Sequence, residues 1–92
     1  MNDIAALRRE IDAIDEDLVR LFIKRLGLMR RVAEAKRTGG LAVYDPAREK
    51  EILDRVATEA GADYAESAVK FFSTLFDISK ARQRTILDTG NA

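Results

Sequence analysis

Charged and amide side chains occupy positions in this chain where an apolar residue is expected. Ile4, Leu7, Ile11, Ile14, Leu18, Leu21, Leu28 and Val32 recur at helical spacing, and the same stripe passes through Arg25. Near the other end, the stripe Val69, Phe72, Phe76 runs through Ser79 and Gln83 before Ile86 and Leu87 restore it. A guanidinium on a core-facing stripe is costly unless an anion or several acceptors meet it. Several such intrusions directed at one interior predict a polar, cation-lined pocket inside a helix bundle. Lys36 follows Arg25 by about three turns, which puts the two on nearly one face and ~16 Å apart. Long cationic side chains at that separation can lean together and hold a small dianion. Arg8 lies ~25 Å from Arg25 along the axis and roughly 100° around it, so it reaches a partner chain's site more easily than its own. Arg48 and Glu49 open the second helix, and Ser79 and Gln83 sit one turn apart on the third.

Each of these residues also has an ordinary structural use. Arg25 can pair with a carboxylate, and Lys36 can complement a helix C-terminus. Arg8 lies in a charged stretch that suits a solvated face. Asp45 is first of all an N-cap, and Arg48 and Glu49 fit an exposed first turn. Ser79 and Gln83 can hydrogen-bond across a helical core. The convergence of these residues, rather than any one of them, points to a binding site.

Three helices must position them. The first runs from about Asp3 to Arg37 without proline, capped by Asn2 or Asp3 and stopped by Gly39-Gly40. Its interior Gly27 costs about 1 kcal/mol relative to Ala. Asp45-Pro46 supplies an N-cap followed by proline at the first helical position, opening a helix from Pro46 to about Ala60 that Gly61 ends. Its inward residues are Ile52, Leu53 and Val56. Asp63 and Glu66 suit the cap and third position of a last helix that reaches about Asp88. The fold class is therefore all-α, a long, short and long helix in one domain over residues 1–92. A helix of about 35 residues is ~52 Å long, whereas a compact chain of this size is only roughly 30 Å across. The first helix must protrude, and its continuous apolar stripe then predicts an intertwined homodimer.

Composition excludes several functions. Lys plus Arg equals Asp plus Glu at 16 each, so no overall field draws the chain to nucleic acid or an acidic membrane. The absence of Cys and His removes thiol nucleophiles, histidine bases and the usual zinc sites, and no cofactor is expected. No apolar run approaches the ~20 residues needed to span a bilayer, and no signal peptide is evident, which predicts a soluble, cytoplasmic protein.

In order along the chain stand Leu7-Arg8-Arg9-Glu10-Ile11-Asp12, Ile14-Asp15, Lys24-Arg25 and Val32-Ala33-Glu34-Ala35-Lys36. Val43-Tyr44-Asp45-Pro46-Ala47-Arg48-Glu49 follows, and then Ser79 with Gln83. In these motifs the chain resembles the all-helical chorismate mutase family over nearly its whole length. The Asp-Pro-x-Arg-Glu stretch downstream of the Arg…Lys helix is the specific part. The resemblance implies an isomerase that converts chorismate to prephenate on the way to phenylalanine and tyrosine. That reaction is an intramolecular Claisen rearrangement, which requires a compact conformer and donors at the ether oxygen.

By the same resemblance, Arg25 and the partner chain's Arg8 bind the two carboxylates. Lys36 and Gln83 donate to the ether oxygen, and Glu49 accepts from the ring hydroxyl near the Asp45 backbone. Arg48 and Ser79 complete the polar wall, and Val32, Ile52 and Phe76 the apolar one. Two positions depart from the pattern: Lys80 stands where an apolar residue is favoured, and Gly27 where a good helix former is usual.

Three other functions fit parts of this pattern. An isochorismate-pyruvate lyase shares the fold but has a less acidic entry to its second helix, so Asp45 with Glu49 favours the mutase. A 4-amino-4-deoxychorismate mutase would differ only in the group recognised near Glu49. A non-catalytic dimerisation module accounts for the long first helix but not for Arg25, Ser79 and Gln83. In 92 residues no fused dehydratase, dehydrogenase or amino-acid-sensing domain is expected. Control by a pathway-enzyme partner is left open.

Overall fold

The structure is a computed structural model that describes residues 3–89. Its helices are α1 (Ile4–Gly27), α2 (Met29–Thr38), α3 (Pro46–Ala60) and α4 (Ala65–Thr89). The long, short, long order stands, with α1 and α2 as two segments of the long first helix. Leu28 separates them yet keeps right-handed helical backbone angles, φ −73° and ψ −14°. Its amide donates to the Arg25 carbonyl at 3.2 Å, three residues back instead of four, so the turn tightens locally. The interruption falls beside Gly27, the residue of lowest helix propensity in the segment.

The helix ends follow from local chemistry. The Asp3 side chain accepts from the amides of Ala5 and Ala6 at 3.0 and 3.2 Å, and the alternative cap, Asn2, lies outside the described residues. At the end of α2, Gly40 takes φ +67°, which a glycine adopts without the penalty of a Cβ. Leu41 then donates to the Lys36 carbonyl at 2.7 Å and Gly40 to that of Arg37 at 3.2 Å, closing a Schellman motif. Asp45 caps α3 by accepting from the Arg48 amide at 3.0 Å, with Pro46 in the first turn. The expected Asp63 cap is corrected: Asp63 sits in the turn after Gly61, and α4 starts at Ala65. Ala68 donates there to the Tyr64 carbonyl at 2.9 Å, which puts Tyr64 at the capping position.

α4 is the central element, packed against α2 on one stretch and α3 on another. Two small apolar clusters result. Met29, Ala33 and Ile86 join α2 to α4, while Ile52, Val56 and Phe76 join α3 to α4. Ser79 and Gln83 are buried on α4 between Phe76 and Ile86, so the polar interior lies between two apolar ones.

α1 behaves differently, with no buried residue. Ile4, Leu7, Ile11, Ile14, Leu18 and Leu21 are each at least 44% exposed. The molecule measures 58 × 30 × 14 Å, with a radius of gyration of 16.6 Å against ~12 Å for a compact chain of this length. The protrusion expected from helix length is present. No described helix is long and apolar enough to cross a membrane.

A Cβ added at Gly27 would meet nothing within 4 Å. Gly27→Ala should therefore stabilise the fold by about 0.5–1 kcal/mol, read as a higher denaturant midpoint. A lower midpoint would show that the α1–α2 junction requires glycine.

Candidate active site

A cleft of about 260 Å³ opens where α2, α3 and α4 meet the end of α1. It collects seven of the eight expected site residues: Arg25, Lys36, Asp45, Arg48, Glu49, Ser79 and Gln83. Val32, Ile52 and Phe76 supply the expected apolar wall. Arg8 is the exception. It is exposed on the protruding part of α1 and does not line the cleft.

Arg25 is carried to the cleft by the last turn of α1, where its guanidinium donates to the Ser79 hydroxyl on α4. Partial burial lowers its pKa, because leaving water disfavours the charged form. Lys36 sits on the last turn of α2. The Schellman motif folds the following chain back, so that the Lys36 ammonium donates to the Val43 carbonyl at 2.7 Å. An ammonium has three donors, so this contact leaves Lys36 with further hydrogen-bonding capacity. Among the described residues, neither Arg25 nor Lys36 meets a carboxylate. Both face neutral acceptors, Ser79 and Val43.

The other charges in the cleft are already engaged. Asp45 is committed to the α3 cap, and Arg48 reaches outward to pair with Glu51. Glu49 pairs across to Lys80 on α4 at 2.9 Å. Counting Arg25, Lys36, Arg48 and Lys80 against Asp45 and Glu49 leaves a net charge of +2 on the lining. Gln83 is buried with its amide nitrogen 3.6 Å from the Met29 sulfur, a weak acceptor, and its carbonyl oxygen has no partner among the described residues. A buried amide with so little of its capacity used costs folding energy that a ligand can recover.

Sequence reasoning missed three parts of this wall. Val43 contributes a backbone carbonyl, which no residue type advertises. Met29 was one more apolar residue beside the stripe. Lys80 stood out only as a departure from the family pattern, yet it lines the cleft and holds Glu49.

The fold and the site together define an all-helical protein with a partly buried cleft whose lining carries a net positive charge. The profile of the family chorismate mutase type II matches residues 7–84. A chorismate mutase of Methanocaldococcus jannaschii is 35% identical over 88 residues, covering 92% of this chain and 88% of that enzyme. The T-protein of Haemophilus influenzae is 38% identical over 77 residues, covering 78% of this chain but only 20% of that protein. A bifunctional chorismate mutase/prephenate dehydratase of Aquifex aeolicus is 39% identical over 56 residues, 61% of this chain and 16% of the longer protein. The chain belongs to the chorismate mutase type II family and is an enzyme of that class, an isomerase of chorismate.

Gln83 separates stability from function. Replacing its amide by an apolar side chain of similar length, Gln83→Met, should leave the fold as stable or raise it by about 1 kcal/mol, since the buried amide is poorly satisfied. Turnover should fall by about 10²–10³ if the amide is a preorganised donor. Unfolding midpoints and initial rates on one preparation check both halves, and an active variant would remove Gln83 from the chemistry.

Proposed function

We propose that the cleft binds chorismate as a folded dianion and lowers the barrier to prephenate by conformer selection and by hydrogen bonds to the ether oxygen. The observation that carries this reading is that Arg25 and Lys36, the two cleft-lining cations that meet no carboxylate among the described residues, face neutral acceptors. Two carboxylates are the natural partners for such a pair, through charge-assisted hydrogen bonds. In the rearrangement the ether C–O bond breaks while a C–C bond forms within the same molecule. Electron density grows on the oxygen that becomes a ketone, and no external atom is exchanged. Holding the two reacting ends together removes much of the entropic cost. Lys36 and Gln83, half-buried and buried, then stabilise the developing charge where donors are worth more than in bulk solvent.

Arg25 takes one carboxylate, with Ser79 fixing its guanidinium. Glu49 has one oxygen engaged by Lys80 and offers the other to the ring hydroxyl. Val32, Ile52 and Phe76 shape the apolar side against which the folded substrate rests. The second carboxylate falls to Arg8 of another copy. Along α1 the exposed stripe from Ile4 to Leu21 needs an apolar partner, and a second α1 is the simplest one. In the resulting intertwined homodimer each site draws on both chains. The pathway assignment, phenylalanine and tyrosine synthesis, follows from the product.

Complementation tests the shared site. Arg25→Ala, Lys36→Ala and Arg8→Ala should each lower kcat/KM for chorismate by at least about 10²-fold. Refolding Arg8→Ala together with Arg25→Ala should restore about a quarter of wild-type activity, because half the dimers are mixed and each holds one intact site. No recovery would place both arginines in one chain's site or remove Arg8 from it.

The pH profile tests the ether donors. An amide does not titrate, and the chain has no histidine to change charge near neutrality. Rates measured with folded enzyme should therefore stay flat between about pH 5 and 8. A collapse across that range would rule out Gln83 as the ether donor.

A further inference from the structure

Lys80 occupies an unusual place for a lysine. Its side chain is 17% exposed, and its ammonium lies 2.9 Å from one Glu49 oxygen and 3.8 Å from an Asp77 oxygen. The same nitrogen sits 4.6 Å from the centre of the Tyr44 ring, within cation–π range. Three contacts from three elements hold it against the wall of the cleft: Glu49 on α3, Tyr44 in the preceding loop, and Asp77 one turn earlier on α4. Glu49 is itself only 23% exposed, so the pair is partly desolvated and less screened than a surface ion pair.

The consequence concerns what Glu49 can recognise. An unpaired carboxylate in a cleft prefers an ammonium to a hydroxyl, because charge attracts charge more strongly than it attracts a dipole. Pairing with Lys80 neutralises that preference. The free Glu49 oxygen still accepts a hydrogen bond from a neutral O–H. A cationic group placed at the same point would also face the Lys80 ammonium, and like charges at close range are mutually destabilising.

We propose that Lys80 is a specificity-determining residue that, by neutralising and orienting Glu49, makes the cleft select a ring hydroxyl over a ring ammonium at the substrate position facing Glu49. The proposal rests on Glu49 as the acceptor of the ring hydroxyl. Lys80 acts through Glu49 and is a positioning residue, not a group that touches the reacting atoms.

The test compares kcat/KM for chorismate and for 4-amino-4-deoxychorismate, which carries an amine in place of that hydroxyl, in wild type, Lys80→Met and Lys80→Arg. Methionine keeps an unbranched side chain beside Tyr44 and removes the charge; arginine keeps the charge. The hydroxyl-to-amine preference should shift toward the amine by about tenfold or more in Lys80→Met, the size expected for removing one cation at close range. In Lys80→Arg the preference should stay near wild type. If the amine compound is turned over by none of the enzymes, its inhibition constant against chorismate reads the same ratio.

A lysine that merely braced α3 against α4 would change stability and both substrates together, leaving the ratio fixed. A lysine that bound a substrate carboxylate directly would also depress both equally. Either result overturns the proposal. Glu49→Ala, which removes the acceptor, separates the two possible failures. If it loses chorismate turnover while the Lys80→Met ratio is unmoved, the filter alone is wrong. Wild-type turnover in Glu49→Ala would overturn the Glu49 assignment and the filter with it.

Discussion

The polar interruption of α4 is the constraint on which the remainder of the structure depends. One helix must bury Phe76 and Ile86 in two apolar clusters and also carry Ser79 and Gln83 between them. A buried polar group is tolerated when its hydrogen bonds are met. Ser79 meets this condition by accepting from Arg25, and the contact ties the end of α1 to α4. Gln83 meets it poorly, with a thioether on one side and nothing on the other. The bundle therefore retains an incompletely satisfied strip along α4. Its neighbours are two cations that also have only neutral partners, an arrangement that favours ligand binding over maximal stability.

The cations reach that strip because of the helix ends. Arg25 and Lys36 each lie in the last turn of a helical segment, where basic side chains complement the macrodipole. The Schellman motif after α2 also turns the chain so that Val43 can hold the Lys36 ammonium. Asp45 begins α3 immediately afterwards, and its cap fixes the first turn from which Arg48 and Glu49 project. Loop geometry and site geometry are thus set by the same few residues between 39 and 49. A change in the Gly40 conformation would move Lys36, Glu49 and the α3 entry together.

Much of this was legible in the sequence because it was written in periodicity and in turn chemistry. The stripe broken by Arg25, Ser79 and Gln83 marked the cleft lining, Gly40 and Pro46 marked helix boundaries, and the length of the first helix marked the protrusion. Gly27 was visible as a weak point, and the helix does tighten beside it at Leu28. The Asp63 cap was misplaced because a carboxylate two residues before a helix looks the same in sequence whether it caps or merely sits in a turn. The Lys36 contact with the Val43 carbonyl could not be read, since backbone acceptors leave no trace in residue type. Lys80 could be noticed, but its pairing with Glu49 joins two helices whose register only the packing fixes.

The proposed site of arginine, lysine, glutamine and a paired carboxylate suits a reaction in which the substrate supplies every atom that reacts. Covalent catalysis would require a nucleophile activated by a base, and this chain contains no cysteine or histidine for that role. An intramolecular rearrangement instead needs rigid donors and a fixed conformer. Rigidity here comes from placing each polar group on a helix and bracing it against a second element: the donors Arg25 and Lys36 against Ser79 and Val43, and the acceptor Glu49 against Lys80. Each brace uses one hydrogen-bonding position of a cleft-lining residue that has others. In the proposed mechanism, preorganisation of this kind would let the charge that develops on the ether oxygen meet donors that need not move, which is where electrostatic catalysis obtains its advantage over water.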